Sequence, residues 1–308
     1  MKRLLLLVFS TSCFVNAFAQ DYLPSEARIR STVNYLAADK LKGRGTDEKG
    51  GRKAAVWVAK QFKKLGLQPA NGSSYFQDFT FDRKEHHDIP GRNVIGYLDN
   101  GAPRTIIIGA HYDHIGTAHL FDGKYPEGQI HNGADDNASG VAGLLEFIRY
   151  FVKNGQQEQF NFLFIAFGGE EMGLQGSKYY VAHPVFPLEK VHFMLNMDMI
   201  GRYNAERGLG IGGYATADEW PEVFKGAEQP GIKFFTDGAG KGPSDHHNFY
   251  ISGVPVIFLH TGPHDDYHKP TDDADKVEAK EESGILKLAI QLINNAMKYK
   301  ELHYVADK

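Results

Sequence analysis

Residues 105–114 have the sequence TIIIGAHYDH, in which an apolar run ends abruptly in His and Asp. A short run of β-branched residues of this kind predicts a buried strand. Ligands of open parallel sheets bind beyond the carboxyl ends of the strands. We therefore expect His111, Asp113 and their neighbours to lie at a sheet edge where a functional site forms.

Helix-periodic stretches separate further short apolar runs elsewhere in the chain. The expected strands are 93–97, 105–110, 162–167, 193–196 and 254–259. The expected helices are 27–41, 52–65, 138–151, 176–182, 220–227 and 281–299. Strands that alternate with helices favour a parallel sheet covered on both faces. We predict a single α/β domain with a mixed, largely parallel central sheet flanked by helices on both faces.

The first residues have the order of features found in export leaders. Lys2 and Arg3 precede an apolar run at 4–9, and Ala17-Phe18-Ala19 supplies the small residues that signal peptidase recognises. The apolar run is too short to span a bilayer, which needs about 20 apolar residues. We predict a signal peptide at 1–20, one domain at 21–308 without a membrane span, and export to the periplasm or beyond the cell.

Cysteine content and net charge limit the metal ligands and the partners that the predicted domain can have. The only cysteine, Cys13, falls within the predicted leader. Any zinc in the exported protein would therefore be held by His and carboxylate side chains rather than by thiolate. The chain has 34 Lys and Arg against 38 Asp and Glu, a net charge of −4. Nucleic-acid binding requires a basic face, so we expect no nucleic-acid partner.

His and carboxylate residues also follow the other predicted strands. The ends of these strands are followed by Glu170 and Glu171, by Asp198, and by a loop that contains His268. A further carboxylate, Asp136, precedes a predicted helix. Because the carboxyl ends of parallel strands meet at one edge of the sheet, we expect these side chains to converge.

This set of side chains suits a metal-dependent hydrolase. Two zinc ions about 3.5–4 Å apart can share one carboxylate and one water molecule. A second carboxylate outside the ligand set then carries the proton. Glu170 and Glu171 suit these two tasks, because adjacent side chains at a strand end point in different directions. Asp113, two residues after His111, is placed to accept the second N–H of that imidazole.

Each feature alone is more typical of a loop or a solvated surface than of a site. The acidic run at 272–275 is expected to cap a helix and face solvent. The concurrence of ligand-type residues at predicted strand ends is what indicates a metal site. The remaining histidines are expected to be structural or superficial: His86, His87, His119, His131, His183 and His192.

At these residues the sequence resembles the co-catalytic two-zinc aminopeptidase family, which includes bacterial leucyl aminopeptidases and the Streptomyces aminopeptidase. Glutamate carboxypeptidases and glutaminyl cyclases share its fold. The resemblance extends from about residue 41 to residue 272. The segments that carry it are GAHYD (109–113), GADDNASG (133–140), EEMGLQGS (170–177), NMDMIGR (196–202) and YHKPTD (267–272).

The resemblance implies a zinc-exopeptidase fold, with 21–308 as the catalytic domain, and two zinc ions per chain. In the family pattern His111 and Asp198 hold one zinc, while Glu171 and His268 hold the other. Asp136 then bridges the two ions.

The resemblance also implies the roles of neighbouring residues. Glu170 is the general base that takes a proton from the bridging water and returns it to the leaving amine. Asp113 orients His111, and the family often has a cis peptide after the bridging aspartate, here Asp136–Asn137. Asp245, in a further family motif, and Tyr267 are expected to have supporting roles.

The function implied is hydrolysis of the N-terminal peptide bond of peptides with a free N-terminus, with a preference for apolar first residues. A glutaminyl cyclase with a single zinc is the main alternative, although cyclases usually have Trp where this chain has Tyr267. A carboxypeptidase of the same fold, with Arg202 as the candidate carboxylate ligand, and a non-catalytic binding module are further alternatives. The presence of Glu170 argues against the last of these, because a metal-binding module needs no base.

Overall fold

The computed structural model describes residues 22–306. Its helices are α1 (Glu26–Leu36), α2 (Lys49–Leu65), α3 (Gly140–Lys153), α4 (Gln175–Ala182), α5 (Trp220–Phe224), α6 (His246–Ile251) and α7 (Ala279–Ala296). Its strands are β1 (Gln68–Pro69), β2 (Phe76–Arg83), β3 (His86–Leu98), β4 (Thr105–His111), β5 (Asn161–Phe167), β6 (Val191–Met197), β7 (Leu209–Gly212), β8 (Phe234–Thr236) and β9 (Val256–His260). The predicted signal peptide lies outside the described residues.

Within the described residues the strands form one nine-stranded sheet in the order β1-β3-β5-β4-β6-β9-β7-β8, with β2 paired to β3. The four central strands, β5, β4, β6 and β9, are parallel. Strands β3 and β7 join this centre from either side in antiparallel fashion. The predicted mixed sheet with a parallel centre is confirmed, and the carboxyl ends of the four central strands lie along one edge.

Helices cover both faces of the sheet, as predicted. Alternate residues of β4 separate into two cores: Ile106 and Ile108 pack with α1, α2, α3 and α7, whereas Ile107 packs with α4 and α6. This division follows from the period of two along a strand. Every residue of β4 is buried, which explains why Thr105, at the start of the strand, is the only polar residue before His111. No helix within residues 22–306 is both long and apolar enough to cross a membrane.

The structure corrects the end of the first predicted helix. Helix α1 ends at Leu36 rather than at residue 41, and a tight 3₁₀ segment with left-handed backbone at Lys42 and Gly43 follows it. A Cβ at Gly43 would lie 2.3 Å from the carbonyl oxygen of His131. Only glycine permits this approach, so the turn is fixed by close packing of two backbones.

All five predicted strands and all six predicted helices are present, with shifted ends. Strands β1, β2, β7 and β8 and helix α6 were not predicted. Strand β2 pairs along its length with β3, and β7 and β8 are short strands beyond β9. Such short or edge strands depend on pairing with the sheet, which local sequence patterns do not reveal.

Candidate metal centre

The central strands deliver polar side chains to one edge of the sheet. His111 is the last residue of β4, and Asp198 directly follows β6. Glu170 and Glu171 follow β5, which pairs with β4 so that His111 lies opposite Phe167. The strand-end convergence predicted from the sequence is therefore present in the fold.

Asp136 reaches the same place from a turn before helix α3. The peptide bond Asp136–Asn137 is cis, as the family resemblance implies. The turn is anchored by two side chains: Asn137 Nδ2 donates to the carbonyl oxygen of Met197 at 2.9 Å. Asp272 accepts the backbone N–H groups of Asp135 and Asp136 at 3.0–3.1 Å.

The role of Asp272 differs from the one predicted. Asp272 is fully buried rather than a helix cap facing solvent. A carboxylate is the strongest acceptor available for two adjacent backbone N–H groups. The acidic run at 272–275 therefore begins with a residue that holds the Asp136 turn in place.

Two sets of ligand-type atoms meet on either side of the Asp136 carboxylate. In the first half-site (His111, Asp198 and Asp136 Oδ1), His111 Nε2 lies 3.2 Å from Asp198 Oδ1 and 3.3 Å from Asp136 Oδ1. In the second half-site (Glu171, His268 and Asp136 Oδ2), His268 Nε2 lies 3.0 Å from Asp136 Oδ2 and 3.3 Å from Glu171 Oε2. Each oxygen of Asp136 thus faces a different half-site.

These distances test whether the residues suit zinc. Zinc bonds of about 2.0–2.2 Å in tetrahedral geometry place neighbouring ligand atoms about 3.3–3.6 Å apart. The observed separations of 3.0–3.3 Å are close to this spacing. The donors are imidazole nitrogen and carboxylate oxygen, which zinc accepts. Both half-sites therefore fit the metal that the family resemblance implies.

The charge state of Asp136 also suits a cation site. Burial alone would raise the pKa of Asp136, but the neighbouring imidazoles of His114, His111 and His268 have a larger, opposite effect. The pKa of Asp136 therefore lies well below its usual range. The carboxylate is therefore expected to be ionised at neutral pH. An ionised, buried carboxylate that lies between imidazole groups is a strong ligand for a cation.

His114 is a member of the site that the sequence analysis did not assign. Its Nδ1 lies 2.6 Å from Glu171 Oε1 and 3.7 Å from Asp136 Oδ2. The ring is fully buried, and burial lowers the pKa of His114 to about 4. His114, Asp136 and Glu171 together form a group of close ligand-type atoms. Its place directly after the His111-Tyr112-Asp113 segment was the only signal in the sequence.

Asp113 supports the site in a different way from the one predicted. His111 Nδ1 lies 3.1 Å from the backbone oxygen of Asp113 and 3.9 Å from its carboxylate. The carboxylate instead accepts the Thr46 hydroxyl at 2.7 Å and the backbone N–H of Glu170 at 3.2 Å. Asp113 therefore fixes His111 through its main chain and positions the start of the Glu170 loop through its side chain.

A cavity of about 400 Å³ opens beside the two half-sites. Glu170 lines this cavity without belonging to either set of close ligand-type atoms. Burial raises the pKa of Glu170 well above its usual value, against the opposing effect of His111. The cavity thus contains a carboxylate that is available for proton transfer.

The two supporting residues predicted from the sequence lie nearby. Asp245 is fully buried, and burial raises its pKa to about 7. Tyr267 stacks on His268 with ring centroids 3.8 Å apart and also lines the cavity. Both residues therefore lie beside the half-sites without belonging to either.

Arg44 connects three segments that surround the site. The sequence analysis assigned it no role. The side chain is fully buried and donates to the backbone oxygens of Tyr112, Leu36, Asn132 and Gly133 at 2.6–2.8 Å. These contacts tie the loop after β4 to the turn that contains Asp136. A buried guanidinium with its donors satisfied by carbonyls is a strong local crosslink.

The sequence matches the family model for Peptidase family M28 over residues 93–293, which is 201 of its 308 residues. The chain belongs to peptidase family M28. The M28 match includes every predicted ligand, from His111 to His268, and also the unpredicted His114.

Two curated relatives are similar in sequence to more than two thirds of this chain. Leupeptin-inactivating enzyme 1 from Streptomyces exfoliatus is 30% identical over 258 residues, covering 81% of this chain and 52% of the relative. A probable leucine aminopeptidase from Arthroderma otae is 27% identical over 228 residues, covering 71% of this chain and 58% of the relative. The chain thus spans little more than half the length of these relatives.

The crystal structure of a Zn-dependent exopeptidase from Parabacteroides distasonis has the same fold. It superposes with a TM-score of 0.72 and covers 89% of this chain and 98% of that structure, at 17% identity. The similarity confirms the predicted zinc-exopeptidase architecture for this M28 chain.

Proposed function

We propose that the chain is an exported, zinc-dependent aminopeptidase that removes the first residue from peptides with a free N-terminus. The observation that carries this proposal is the position of Asp136, whose two oxygens face separate half-sites beside a cavity that also contains Glu170. A shared carboxylate between two ligand sets is the arrangement that two-metal hydrolysis requires. Membership of peptidase family M28 supports the same reaction class.

In this proposal His111 and Asp198 would hold one zinc ion, Glu171 and His268 would hold another, and Asp136 would contribute to both half-sites. A zinc pair bound there supplies a Lewis acid for the scissile carbonyl and lowers the pKa of the attacking water. Asp113 keeps the His111 imidazole in a fixed orientation through its backbone oxygen. The residues of the chain thus align the ligands before substrate arrives.

Glu170 is the proposed general base. It takes a proton from the attacking water and gives it to the leaving amine, so that the Glu170 carboxylate is ionised again at the end of the reaction. Its backbone N–H is held by the Asp113 carboxylate, which places its side chain at the cavity while the adjacent Glu171 faces the second half-site. Asp245 and Tyr267 support the site without taking part as ligands.

The cavity favours an apolar first residue in the substrate. Its lining includes Met199, Phe258, Pro243 and Pro263. Its volume of about 400 Å³ exceeds that of a leucine or phenylalanine side chain, and burial of such a chain is worth about 1.5–3 kcal/mol. The carboxylates near the zinc pair are suited to hold the free α-amine.

We propose export because residues 1–20 have the sequence features of a leader, with 21–308 as the proposed catalytic domain. N-terminal sequencing of protein recovered from the periplasm and the medium tests this part. Cleavage after residue 19 or 20 is expected, whereas a mature protein that retains Lys2 and Arg3 would contradict it.

The reaction is tested with leucine p-nitroanilide as substrate. We expect release of p-nitroaniline that is abolished by a chelator and restored by zinc, and a loss of about 10²–10⁴-fold in Glu170→Ala with zinc retained. An active Glu170→Ala variant would overturn the assignment of the base. Cyclisation of an N-terminal Gln peptide would identify a cyclase, and release of a C-terminal residue would identify a carboxypeptidase.

A further inference from the structure

His114 lies behind the second half-site and touches only one of its ligands closely. Nδ1 of the ring is 2.6 Å from Glu171 Oε1, while His268 faces the other oxygen, Glu171 Oε2, at 3.3 Å. The ring also packs closely on the backbone of Gly133, where a Cβ would lie 2.5 Å from its Cγ and Cδ2 atoms. Nothing in the reaction proposed above uses His114.

The distances decide between two roles for this imidazole. Two ligands of one tetrahedral zinc lie about 3.3–3.6 Å apart, but His114 Nδ1 and Glu171 Oε1 are 2.6 Å apart. This separation is that of a short, charge-assisted hydrogen bond. His268 Nε2 lies 3.0 Å from Asp136 Oδ2 and 3.3 Å from Glu171 Oε2, both close to the ligand spacing, whereas His114 Nδ1 is near that spacing only for Asp136 Oδ2, at 3.7 Å, and is too close to Glu171. His268 therefore has the position of a ligand and His114 does not.

The protonation of the His114 ring follows from its neighbours. A carboxylate that binds zinc is ionised, and an ionised carboxylate only accepts hydrogen bonds, so with zinc bound Nδ1 carries the hydrogen that it shares with Glu171. The other nitrogen, Nε2, is buried without a hydrogen-bond partner among the described residues. A buried N–H without an acceptor is strongly unfavourable, so Nε2 carries no hydrogen.

We propose that His114 is a positioning residue for Glu171. Its Nδ1–H donates to Oε1 and aims Oε2 at the second half-site, and so sets the zinc affinity of that half-site alone. This inference rests on the proposed zinc pair. Loss of a hydrogen bond to a metal ligand typically weakens metal binding by about 10–100-fold.

The test compares zinc content per chain against free zinc, set by a chelator buffer, in the full exported protein. The variants are His114→Leu, which removes the donor, and His114→Asn, whose amide N–H is placed near the position of Nδ1. His192→Asn is the matched control, because His192 is equally buried but bonds to the carbonyl oxygen of Ala296, away from the site.

We expect the first zinc to bind normally in every variant. The second zinc should bind about 10–100-fold more weakly in His114→Leu, within about threefold of wild type in His114→Asn, and normally in the control. A normal second zinc in His114→Leu would overturn the inference. Equal losses in the Leu and Asn variants would identify His114 as a ligand instead. A wild-type chain that binds no zinc would overturn the proposed function itself.

A measurement on the unaltered protein gives the same decision if His114→Leu does not fold. Long-range ¹H–¹⁵N NMR of the histidine rings, with His114 assigned from the Asn variant, reports which nitrogen carries hydrogen. We expect hydrogen on Nδ1 when zinc is bound. A zinc-loaded protein in which Nδ1 has lost its hydrogen would overturn the inference.

Discussion

The two half-sites share Asp136 but are held in place by different kinds of structure. In the first half-site, His111 and Asp198 lie at the ends of β4 and β6, which are neighbours in the sheet. In the second, Glu171 lies in a loop, and His268 has a left-handed backbone with φ of 56°. Main-chain ladders therefore position one pair of ligands, whereas loops and side-chain contacts position the other.

The contacts behind the ligands differ in the same way. His111 is held by the backbone oxygen of Asp113. Glu171 is held by the side chain of His114, and His268 by the hydroxyl of Tyr125 at 2.6 Å. A substitution of a supporting side chain should therefore disturb the second half-site and leave the first unchanged. The following predictions test that difference.

The largest effect is expected from Asp136→Ala, which removes the carboxylate common to both halves. Both zinc ions should bind weakly and activity should fall by about 10³-fold or more, because a catalytic metal contributes several kcal/mol to the barrier. Glu170→Gln is the comparison, since it should lose activity while keeping both ions. Retention of one tightly bound zinc in Asp136→Ala would show that the halves are independent.

A smaller effect is expected when zinc is withdrawn gradually from the wild-type protein. The second half-site should empty first, at a free zinc concentration about 10–100-fold higher than the first, because its ligands depend on supporting side chains. Anomalous scattering from crystals of partly stripped protein locates the ion that remains. A residual ion between Glu171 and His268 would contradict the comparison.

The same contrast explains how much of the site was predictable from the sequence. Ligands at strand ends follow from the apolar pattern, because a buried strand must stop where polar residues begin and parallel strands stop at one edge. His111, Asp198 and the Glu170–Glu171 pair were located in this way, and so was the loop that contains His268. The assignment of each ligand to one of two zinc ions came from the family resemblance, since a strand-end pattern does not show which side chains share an ion.

Four supporting residues were not predicted, for a physical reason. His114, Tyr125 and Asp272 are placed by the paths of loops, which depend on contacts between segments distant in the chain. Asp272 lies 136 residues from Asp136 along the sequence, yet it accepts the backbone N–H of that residue. Similarly, Arg44 is 88 residues from Asn132. Local patterns contain no information on such pairs.

Removal of the Tyr125 hydroxyl tests whether a side-chain contact holds His268 in the second half-site. His268 Nε2 faces the other ligands of its half-site, so its Nδ1–H donates to Tyr125 Oη. Tyr125→Phe should weaken the second zinc by about tenfold, the lower end of the range for such contacts. Tyr75→Phe is the control, because it removes a hydroxyl whose hydrogen bond, donated to the backbone oxygen of Leu67, lies outside both half-sites. An unchanged second zinc in Tyr125→Phe would show that the loop path alone holds His268.

The smallest effect is expected from Tyr267→Phe. The Tyr267 ring stacks on His268 at 3.8 Å with an interplanar angle of 27°, and this contact needs the ring rather than the hydroxyl. Tyr267→Phe should therefore change zinc affinity and kcat by less than about threefold, whereas Tyr267→Ala should lose the stacking energy of about 0.5–1.5 kcal/mol.

Separate measurement of kcat and zinc content decides the role of the Tyr267 hydroxyl. A hydroxyl that contacts the reacting carbonyl would lower kcat by tenfold or more in Tyr267→Phe without altering zinc content. That outcome would make Tyr267 a catalytic residue. A loss of the second zinc in Tyr267→Ala alone would instead make the ring a third side-chain support of the second half-site, beside His114 and Tyr125, because only the ring packs against a ligand of that half-site.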